Sequence, residues 1–148
     1  MIHVQRRVRL DPPPAEVFAY LTDVERIPEW QAEAGIKRVT RADSAPMRLG
    51  STFRMERHAQ GRTAAIDATM NLWEPTHRFA FDTIDDSKFI GHFDTQLDPA
   101  PGGGTDLTWT VDMQPPGIWR LMSPVIRRAI DKAADVDFAN LQRRLARS

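Results

Sequence analysis

The hydrophobic pattern of this chain changes from alternation to helical spacing at Gln114-Pro115-Pro116-Gly117 and keeps that spacing to about Arg147. Before this break, apolar residues recur at every second position over most of the chain, which is typical of half-buried strands. After it, they form a wide stripe at helical spacing, and Pro124 predicts a break or kink near the start of the helix. Because a sheet with one apolar face needs a cover, we expect the last helix to lie across it.

Seven runs of the sequence read as strands. Gln60-Gly61 and Asp85-Asp86-Ser87 are typical turn sequences between them, and such short connections predict an antiparallel meander with one apolar face. In the fourth run, strict alternation places Leu72 on the apolar face with Met70. The seven runs cover residues 2–10, 35–40, 51–58, 62–73, 77–84, 88–97 and 105–113.

The stretch DPPPAEVFAYLTDVERIPEW at residues 11–30 interrupts this pattern after the first strand. Proline has no N–H for a sheet ladder but is tolerated in the first turn of a helix, so the prolines predict the end of the strand and the start of a helix. Two short helical stretches follow, with Val17, Phe18 and Leu21 on one side of the first and Trp30 after the second. Helices this short are not stable alone, so we expect them to dock on an apolar surface.

Composition excludes several classes of function. The 148 residues suit one domain, 1–148, and 20 Lys and Arg balance 20 Asp and Glu, which argues against a nucleic-acid partner and against a polybasic membrane anchor. The absence of cysteine excludes disulfides, thiolate catalysis and cysteine-bound metals. No apolar run is long enough to cross a bilayer and no signal peptide is evident, so we expect a cytoplasmic protein without stable membrane insertion.

Two pairs of residues could contribute to a metal site. Glu56 and His58 share one strand face, and His92 and Asp94 share another, so the two strands together could supply two imidazoles and carboxylates. Both pairs lie opposite the apolar face, where solvation is the simpler interpretation. We therefore predict neither a metal site nor a cofactor.

General acid–base catalysis would need polar groups inside an apolar pocket, where burial shifts a pKa toward neutrality. The candidates are Arg6, Thr83, Thr95 and Asp137. Arg6 interrupts the apolar face of the first strand and lies either at the sheet margin with its head in water or inside a cavity. Asp137 falls either on the inner stripe of the last helix or at its flank with its carboxylate in water. The set is too sparse to form an active site, so we predict no catalytic residue, and Asp137 is the one candidate that remains.

The chain resembles the START-like (SRPBCC) superfamily of bacterial polyketide cyclase/dehydrase and lipid-transport proteins. The residues that carry the resemblance are the entry segment 11–30, EPTHRFAF after Trp73, LDPAPGGGTDLTWTV, and the segment from PPGIWRLMSP to LQRRL. The resemblance implies an α+β helix-grip fold, in which a curved seven-stranded antiparallel sheet wraps around a long C-terminal helix. Two short helices between strands 1 and 2 would close one end of a cavity.

The resemblance also implies a site. Trp30 would lie at the mouth of the cavity or fill the helix–sheet junction, and we expect a partial cavity at the entry-helix end. The aromatic, Met and Ile residues could line that cavity or fill it as core. The predicted cavity residues are Phe18, Trp30, Phe53, Met55, Ile66, Met70, Phe79, Phe81, Phe89, Phe93, Trp109, Trp119, Met122, Ile126 and Ile130.

Three functions follow from this pattern. The first is binding or carrying an apolar small molecule such as a lipid, quinone, isoprenoid or aromatic polyketide, by a monomer or homodimer without catalysis. The second is a polyketide aromatase/cyclase or dehydratase. The third is a protein-interaction module, which would have a filled core and an exposed apolar patch.

Overall fold

The computed structural model describes residues 1–59 and 61–147, so Gln60 of the predicted Gln60-Gly61 turn lies outside the described residues. Seven strands form one antiparallel sheet in the order β1-β7-β6-β5-β4-β3-β2, which confirms the predicted fold class. The first strand of the chain, β1, pairs with the last, β7. The strands are β1 (Ile2–Leu10), β2 (Ile36–Arg41), β3 (Thr52–Ala59), β4 (Arg62–Glu74), β5 (Arg78–Asp85), β6 (Ile90–Pro99) and β7 (Thr105–Gln114).

Four helical segments accompany the sheet. Helix α1 (Pro14–Thr22) is followed by a 3₁₀ helix, Val24–Glu29, here called the elbow helix. A second 3₁₀ helix, Gly117–Met122, here called the rim helix, precedes α2 (Ser123–Arg144). Helix α2 has 22 residues and is about 33 Å long. Pro124 lies in its first turn, where proline is tolerated, so the predicted break separates the rim helix from α2.

A β-bulge in β4 corrects the predicted alternation. The pairing of β4 with β5 shifts between Met70 and Leu72, so that Trp73, not Leu72, lies opposite Phe79. A bulge places one extra residue in a strand and reverses the side-chain parity beyond it. Trp73 therefore joins the concave face, where its ring packs edge-on against Phe18 with centroids 5.1 Å apart.

Helix α2 makes its closest backbone contacts with β1, at the edge of the sheet, and its side chains reach Trp109 of β7. Arg6 of β1 forms ion pairs with two aspartates of α2. Its Nη2 lies 2.8 Å from Asp131 Oδ1, and its Nε lies 2.8 Å from Asp135 Oδ1. Ile126 and Ile130 pack against the apolar side of β1 and β7. Arg6 therefore joins strand to helix, and its guanidinium is neither free at the sheet margin nor inside a cavity.

Candidate functional site: an open cleft on the concave face

A belt of aromatic rings crosses the concave face and divides it into two halves. The belt runs from β3 across the central strands to α2 and ends at the residue after the elbow helix. Edge-on and offset contacts of this kind stabilise aromatic clusters beyond simple burial. Its members are Phe53, Phe81, Phe93, Trp109, Phe138 and Trp30, with neighbouring ring centroids 5.2 to 6.2 Å apart.

The half of the concave face beneath α1 and the elbow helix is filled. Met70, Leu97 and Leu107 are fully buried there. Phe18 packs edge-on against Trp73 and against Phe79, with centroids 5.1 and 5.7 Å apart. The partial cavity expected at the entry-helix end is therefore replaced by packed core, because α1 inserts its own aromatic side chain into that space.

The opposite half of the concave face is covered less completely. Ile66 of β4, Met113 of β7, and Ile126 and Ile130 of α2 face inward there and pack against the buried core clusters, but all four remain only half-buried. The cause is the position of α2, which follows β1 and leaves the far ends of β4, β5 and β6 without a helix above them. We call this surface, together with Phe81 and Phe93 at its belt side, the open cleft.

The open cleft is defined by the incomplete burial of the side chains that line it rather than by an enclosed chamber. Two surface concavities of about 300 and 280 Å³ lie elsewhere on the molecule. The first lies on the outer face of β2, β3 and β4, beside Arg54 and Glu56. The second lies between the start of β1 and Ser123 at the start of α2. A ligand in the open cleft would thus be held between the sheet and one side of α2.

Gly91 forms the floor of the open cleft. A Cβ atom at this position would lie 2.7 Å from Thr83 Oγ1, 2.9 Å from Phe93 Cε1 and 3.3 Å from Met113 Cε. Three side chains therefore cover the buried backbone of Gly91, and any side chain here would displace them.

Arg57 is the only cation on the inward-facing side of β3. It lies opposite Ala64 and continues the face of Phe53 and Met55. Its Nε donates a hydrogen bond to the Ala34 carbonyl oxygen at 3.0 Å, and the hydrogen bonds of the described residues include none from its terminal nitrogens. Burial lowers the pKa of Arg57, against the opposing effect of the nearby Asp85.

Asp85 does not neutralise Arg57 by a direct ion pair. Its Oδ1 accepts hydrogen bonds from the backbone N–H groups of Ser87 at 2.8 Å and Phe89 at 3.0 Å, which fixes the predicted hairpin turn. Thr83, the other polar side chain at the cleft floor, is buried, and the hydrogen bonds found within 1–59 and 61–147 include none to its hydroxyl. The open cleft therefore has apolar walls and one half-buried positive group, whose terminal nitrogens remain accessible.

Arg57 was not among the predicted site residues, although the alternation of its strand contained the signal. Arg57 lies two residues after Met55, and the run 51–58 shows no break between them. Arg54, Glu56 and His58 form the polar side of the strand. Arg57 is a charged residue on its apolar side, after Phe53 and Met55.

The structure divides the predicted cavity residues among three environments. Trp119 and Met122 are exposed on the rim of the cleft, with 39% and 43% of their surface accessible. A second group is half-buried along the belt and the open cleft, and the third is part of the packed core. The half-buried residues are Ile66, Phe81, Phe89, Phe93, Trp109, Ile126 and Ile130, and the buried ones are Phe18, Trp30, Phe53, Met55, Met70 and Phe79.

The candidate metal pairs lie apart on the outer face. His58 Nε2 lies 2.9 Å from Glu56 Oε1, whereas His92 Nδ1 lies 2.6 Å from Asp82 Oδ1, and strands β4 and β5 separate the two histidines. Asp94 is held by Arg78 at 2.6 Å. Within residues 1–59 and 61–147, no group of His, Asp or Glu side chains is arranged to hold a metal ion.

Asp137 is buried, with 3% of its surface accessible, and it ties α2 to the loop before β2. Its Oδ1 accepts a hydrogen bond from the Glu33 N–H at 3.0 Å and its Oδ2 from the Ala34 N–H at 3.2 Å. Burial raises the pKa of Asp137 to about 6, against the opposing effect of these two N–H donors. Both oxygens are engaged with the loop, so the carboxylate has a structural role.

The raised pKa of Asp137 predicts a pH-dependent stability. Since the folded-state pKa of about 6 exceeds the ordinary value of 3.8, the stabilisation from this group is complete below the ordinary value and is lost as the pH rises through the folded-state value. Replacing Asp137 with Asn removes that dependence. We expect the difference in unfolding free energy between the two proteins to change by about 3 kcal/mol over this window, measured by urea denaturation.

Asp23 provides a matched control for this measurement. It is exposed and its side chain caps neither adjacent helix, so the Asp23→Asn protein should follow the pH profile of the wild type. Parallel profiles for the wild type and Asp137→Asn would contradict the raised pKa.

Solved structures of low sequence identity share this fold. A START superfamily protein from Mycobacterium smegmatis matches with a TM-score of 0.73 and 16% identity, covering 98% of this chain and 97% of that one. The Zhui aromatase/cyclase of a Streptomyces species matches with a TM-score of 0.71 and 13% identity, over 95% of this chain and 88% of that one. A major latex-like protein of Panax ginseng matches with a TM-score of 0.70 and 9% identity, over 98% and 97% of the two chains.

Three observations on the whole chain complete the comparison. No helix within the described residues is both long enough and apolar enough to traverse a bilayer. Among curated proteins, none matches this chain. One family model does match, over residues 1–146, and the chain therefore belongs to the family described as polyketide cyclase/dehydrase and lipid transport.

Proposed function

We propose that this protein binds and carries an amphipathic small molecule in the open cleft, with an apolar body against the cleft walls and an acidic group on Arg57. The family and the fold are consistent with hydrophobic ligand binding or with cyclase/dehydrase activity. The observation that carries the proposal is the half-buried Arg57 guanidinium, whose terminal nitrogens have no hydrogen-bond acceptor within the described residues. An acidic group on a ligand would supply hydrogen-bond acceptors for these terminal nitrogens.

The two parts of such a ligand would contribute differently. Contact with Phe81, Phe93 and Ile66 would supply affinity in proportion to the apolar area buried, at roughly 25 cal/mol per Å². Arg57 would supply orientation, because its planar fork of N–H donors matches a carboxylate, sulfonate or phosphate in two parallel hydrogen bonds. The low polarity of the cleft would strengthen those bonds.

Binding without turnover fits the polar groups of the cleft better than catalysis does. A cyclase or dehydratase needs a group that can move a proton within reach of the substrate. The two carboxylates nearest the interior already accept hydrogen bonds from backbone N–H groups. Asp137 accepts them from the loop before β2, and Asp85 accepts them from its own hairpin. The hydroxyl group of Thr83 is a very weak acid, so it is suited to orienting a ligand rather than to proton transfer.

The first test is native mass spectrometry of freshly purified protein, followed by organic extraction and identification of any released molecule. We expect a discrete bound species that is mainly apolar and carries an acidic group. A bound molecule that the protein converts to a second species would favour the cyclase/dehydratase alternative.

Replacing Arg57 with Gln tests how the cleft would select its ligand. Anilinonaphthalene sulfonate and phenylnaphthylamine are fluorescent probes of similar apolar shape, and only the first is an anion. Loss of the charged hydrogen bonds should weaken sulfonate binding by about tenfold or more, since bonds to charged groups contribute roughly 1.5–3 kcal/mol. Binding of the uncharged amine should stay unchanged, as measured by fluorescence titration.

Arg54→Gln is the matched control, because Arg54 lies on the outer face of the same strand and pairs with Asp67 at 2.8 Å. It should leave the binding of both probes unchanged. Equal weakening of both probes by Arg57→Gln would show that Arg57 shapes the cleft rather than recognising charge. A wild-type protein that binds neither probe and carries no extractable molecule would contradict the proposed function.

A further inference from the structure

Large apolar side chains are exposed on the rim helix and in the first turn of α2. Ile118 and Leu121 have 81% and 84% of their surface accessible, and Val125 has 60%. Apolar side chains clustered on a surface in this way are typical of sites that contact a protein or a membrane. We call the surface formed by Ile90, Ile118, Trp119, Leu121, Met122 and Val125 the rim patch.

The rim patch is a surface rather than a loosely packed part of the core. The rim helix buries none of its residues. It is held to the sheet by a contact between Trp119 and Phe89, whose ring centroids lie 5.7 Å apart. Ile90 follows Phe89 and is also exposed, so the patch extends onto the β5–β6 hairpin at the end of the open cleft.

Cations surround the rim patch. Residues 118–128 include Arg120, Arg127 and Arg128 and contain no Asp or Glu. The guanidinium carbon of Arg62 lies 5.9 Å from the centre of the Trp119 ring, which brings a further cation to the patch from β4. The segment is locally basic although the chain is neutral overall, and the fold adds Arg62 to it.

The acidic groups nearest to these cations are already engaged. Asp85 accepts hydrogen bonds from its own hairpin, and Asp86 Oδ2 accepts one from the Ala65 N–H at 3.4 Å. Asp131 lies 2.8 Å from Arg6 and 3.8 Å from Arg127. Of the cations around the rim patch, Arg62, Arg120 and Arg128 take part in no ion pair found within the described residues, so the patch carries positive charge that is not paired directly.

From this combination we infer that the rim patch docks the protein reversibly on an anionic lipid surface. Aliphatic and Trp side chains with arginines between them are the composition of segments that lie in the membrane interface, where the apolar groups enter the acyl boundary and the cations meet headgroup phosphates. A second copy of the chain fits less well, since it would bring these arginines against their own equivalents. This inference does not rest on the proposed function of the cleft.

Vesicle flotation tests the inference. The full-length protein should float with vesicles of equimolar phosphatidylcholine and phosphatidylserine, remain behind with phosphatidylcholine alone, and be released by salt, which screens exposed charges. Trp119 is the most exposed of the tryptophans in the described residues, so Trp emission should shift to shorter wavelength on binding and should not do so in Trp119→Phe.

Two pairs of variants separate the apolar and the charged contributions. Ile118→Gln with Leu121→Gln should weaken binding to the anionic vesicles by about tenfold or more, whereas Leu49→Gln, an exposed leucine in another loop, should not. Arg127→Gln with Arg128→Gln should also weaken it by about tenfold or more, at roughly fivefold per cation. Arg7→Gln, on the outer side of β1, is the control for charge.

Three results would overturn the inference. Unchanged vesicle binding by the Ile118→Gln, Leu121→Gln protein would show that the rim patch is not the docking surface. The patch would be an interface between copies if the wild type sediments as a dimer and does not bind vesicles, and if Leu121→Gln dissociates that dimer. Loss of vesicle binding in Gly91→Val, whose side chain would fill the open cleft, would show that lipid is held in the cleft.

Discussion

Replacing Trp30 with Ala should lower the free energy of unfolding by about 3–5 kcal/mol, the usual cost of removing a buried aromatic side chain. Trp30 has 7% of its surface accessible and belongs to the main core cluster. Its ring lies 5.5 Å from that of Phe138, which in turn lies 5.2 Å from Trp109. Removing it takes away the end of the aromatic belt and leaves a cavity between α2 and the elbow helix, because neither element can collapse into the gap.

Trp119→Ala is the matched control for this prediction. Trp119 is the same residue type, but 39% of its surface is accessible and its only aromatic neighbour is Phe89. We expect its loss to change stability by no more than about 1 kcal/mol. Chemical denaturation of both variants decides the role of Trp30: a small change in stability together with a large loss of probe binding would mean that Trp30 contacts ligand instead of supporting the core.

The contrast between these tryptophans shows what the sequence could and could not establish. Alternation and proline placement predicted all seven strands, both entry helices and the break before α2, because these features depend on local pattern. Whether an aromatic residue lines a space or fills it depends on side chains far away in the chain. Trp30 packs on Phe138, 108 positions later, and no local pattern contains that information.

The position of the open cleft was also beyond local pattern. The entry helices were expected to leave space beneath them, but Phe18 fills it, and a bulge in β4 turns Trp73 inward to complete the packing. The space lies at the other end, because Arg6 anchors α2 to the edge strand through Asp131 and Asp135. The contacts that position α2, among them the ion pairs of Arg6, join residues more than a hundred positions apart, so no local pattern reveals which half of the sheet is less covered.

The rim patch illustrates the same limit for charge. Counting Lys, Arg, Asp and Glu gave a neutral chain and no membrane-binding signal. In the structure, local pairings engage Asp85 and Asp131, while Arg120 and Arg128 remain beside exposed apolar side chains. Net charge reports the sum over the chain, whereas association with a surface depends on where the unpaired charges lie.

Gly91→Val should abolish the binding of both the anionic and the uncharged naphthalene probe. Even the first carbon of the new side chain would lie 2.7 Å from Thr83 Oγ1 and 2.9 Å from Phe93 Cε1. Val would therefore push these side chains apart and occupy the floor of the open cleft. We expect overpacking to cost about 1–3 kcal/mol of stability, partly offset because Val is better suited to a strand than Gly. Gly91→Ala should show a weaker form of both effects.

The measurement is a titration with each probe, after thermal unfolding has confirmed that the variant is folded. Ala65→Val adds apolar volume on the outer face of β4 and should leave the binding of both probes unchanged. The comparison with Arg57→Gln is the decisive one, because that variant should lose only the anionic probe, whereas Gly91→Val should lose both. If folded Gly91→Val binds both probes as the wild type does, the open cleft is not the ligand site and the proposed function fails, while vesicle docking through the rim patch would stand on its own evidence.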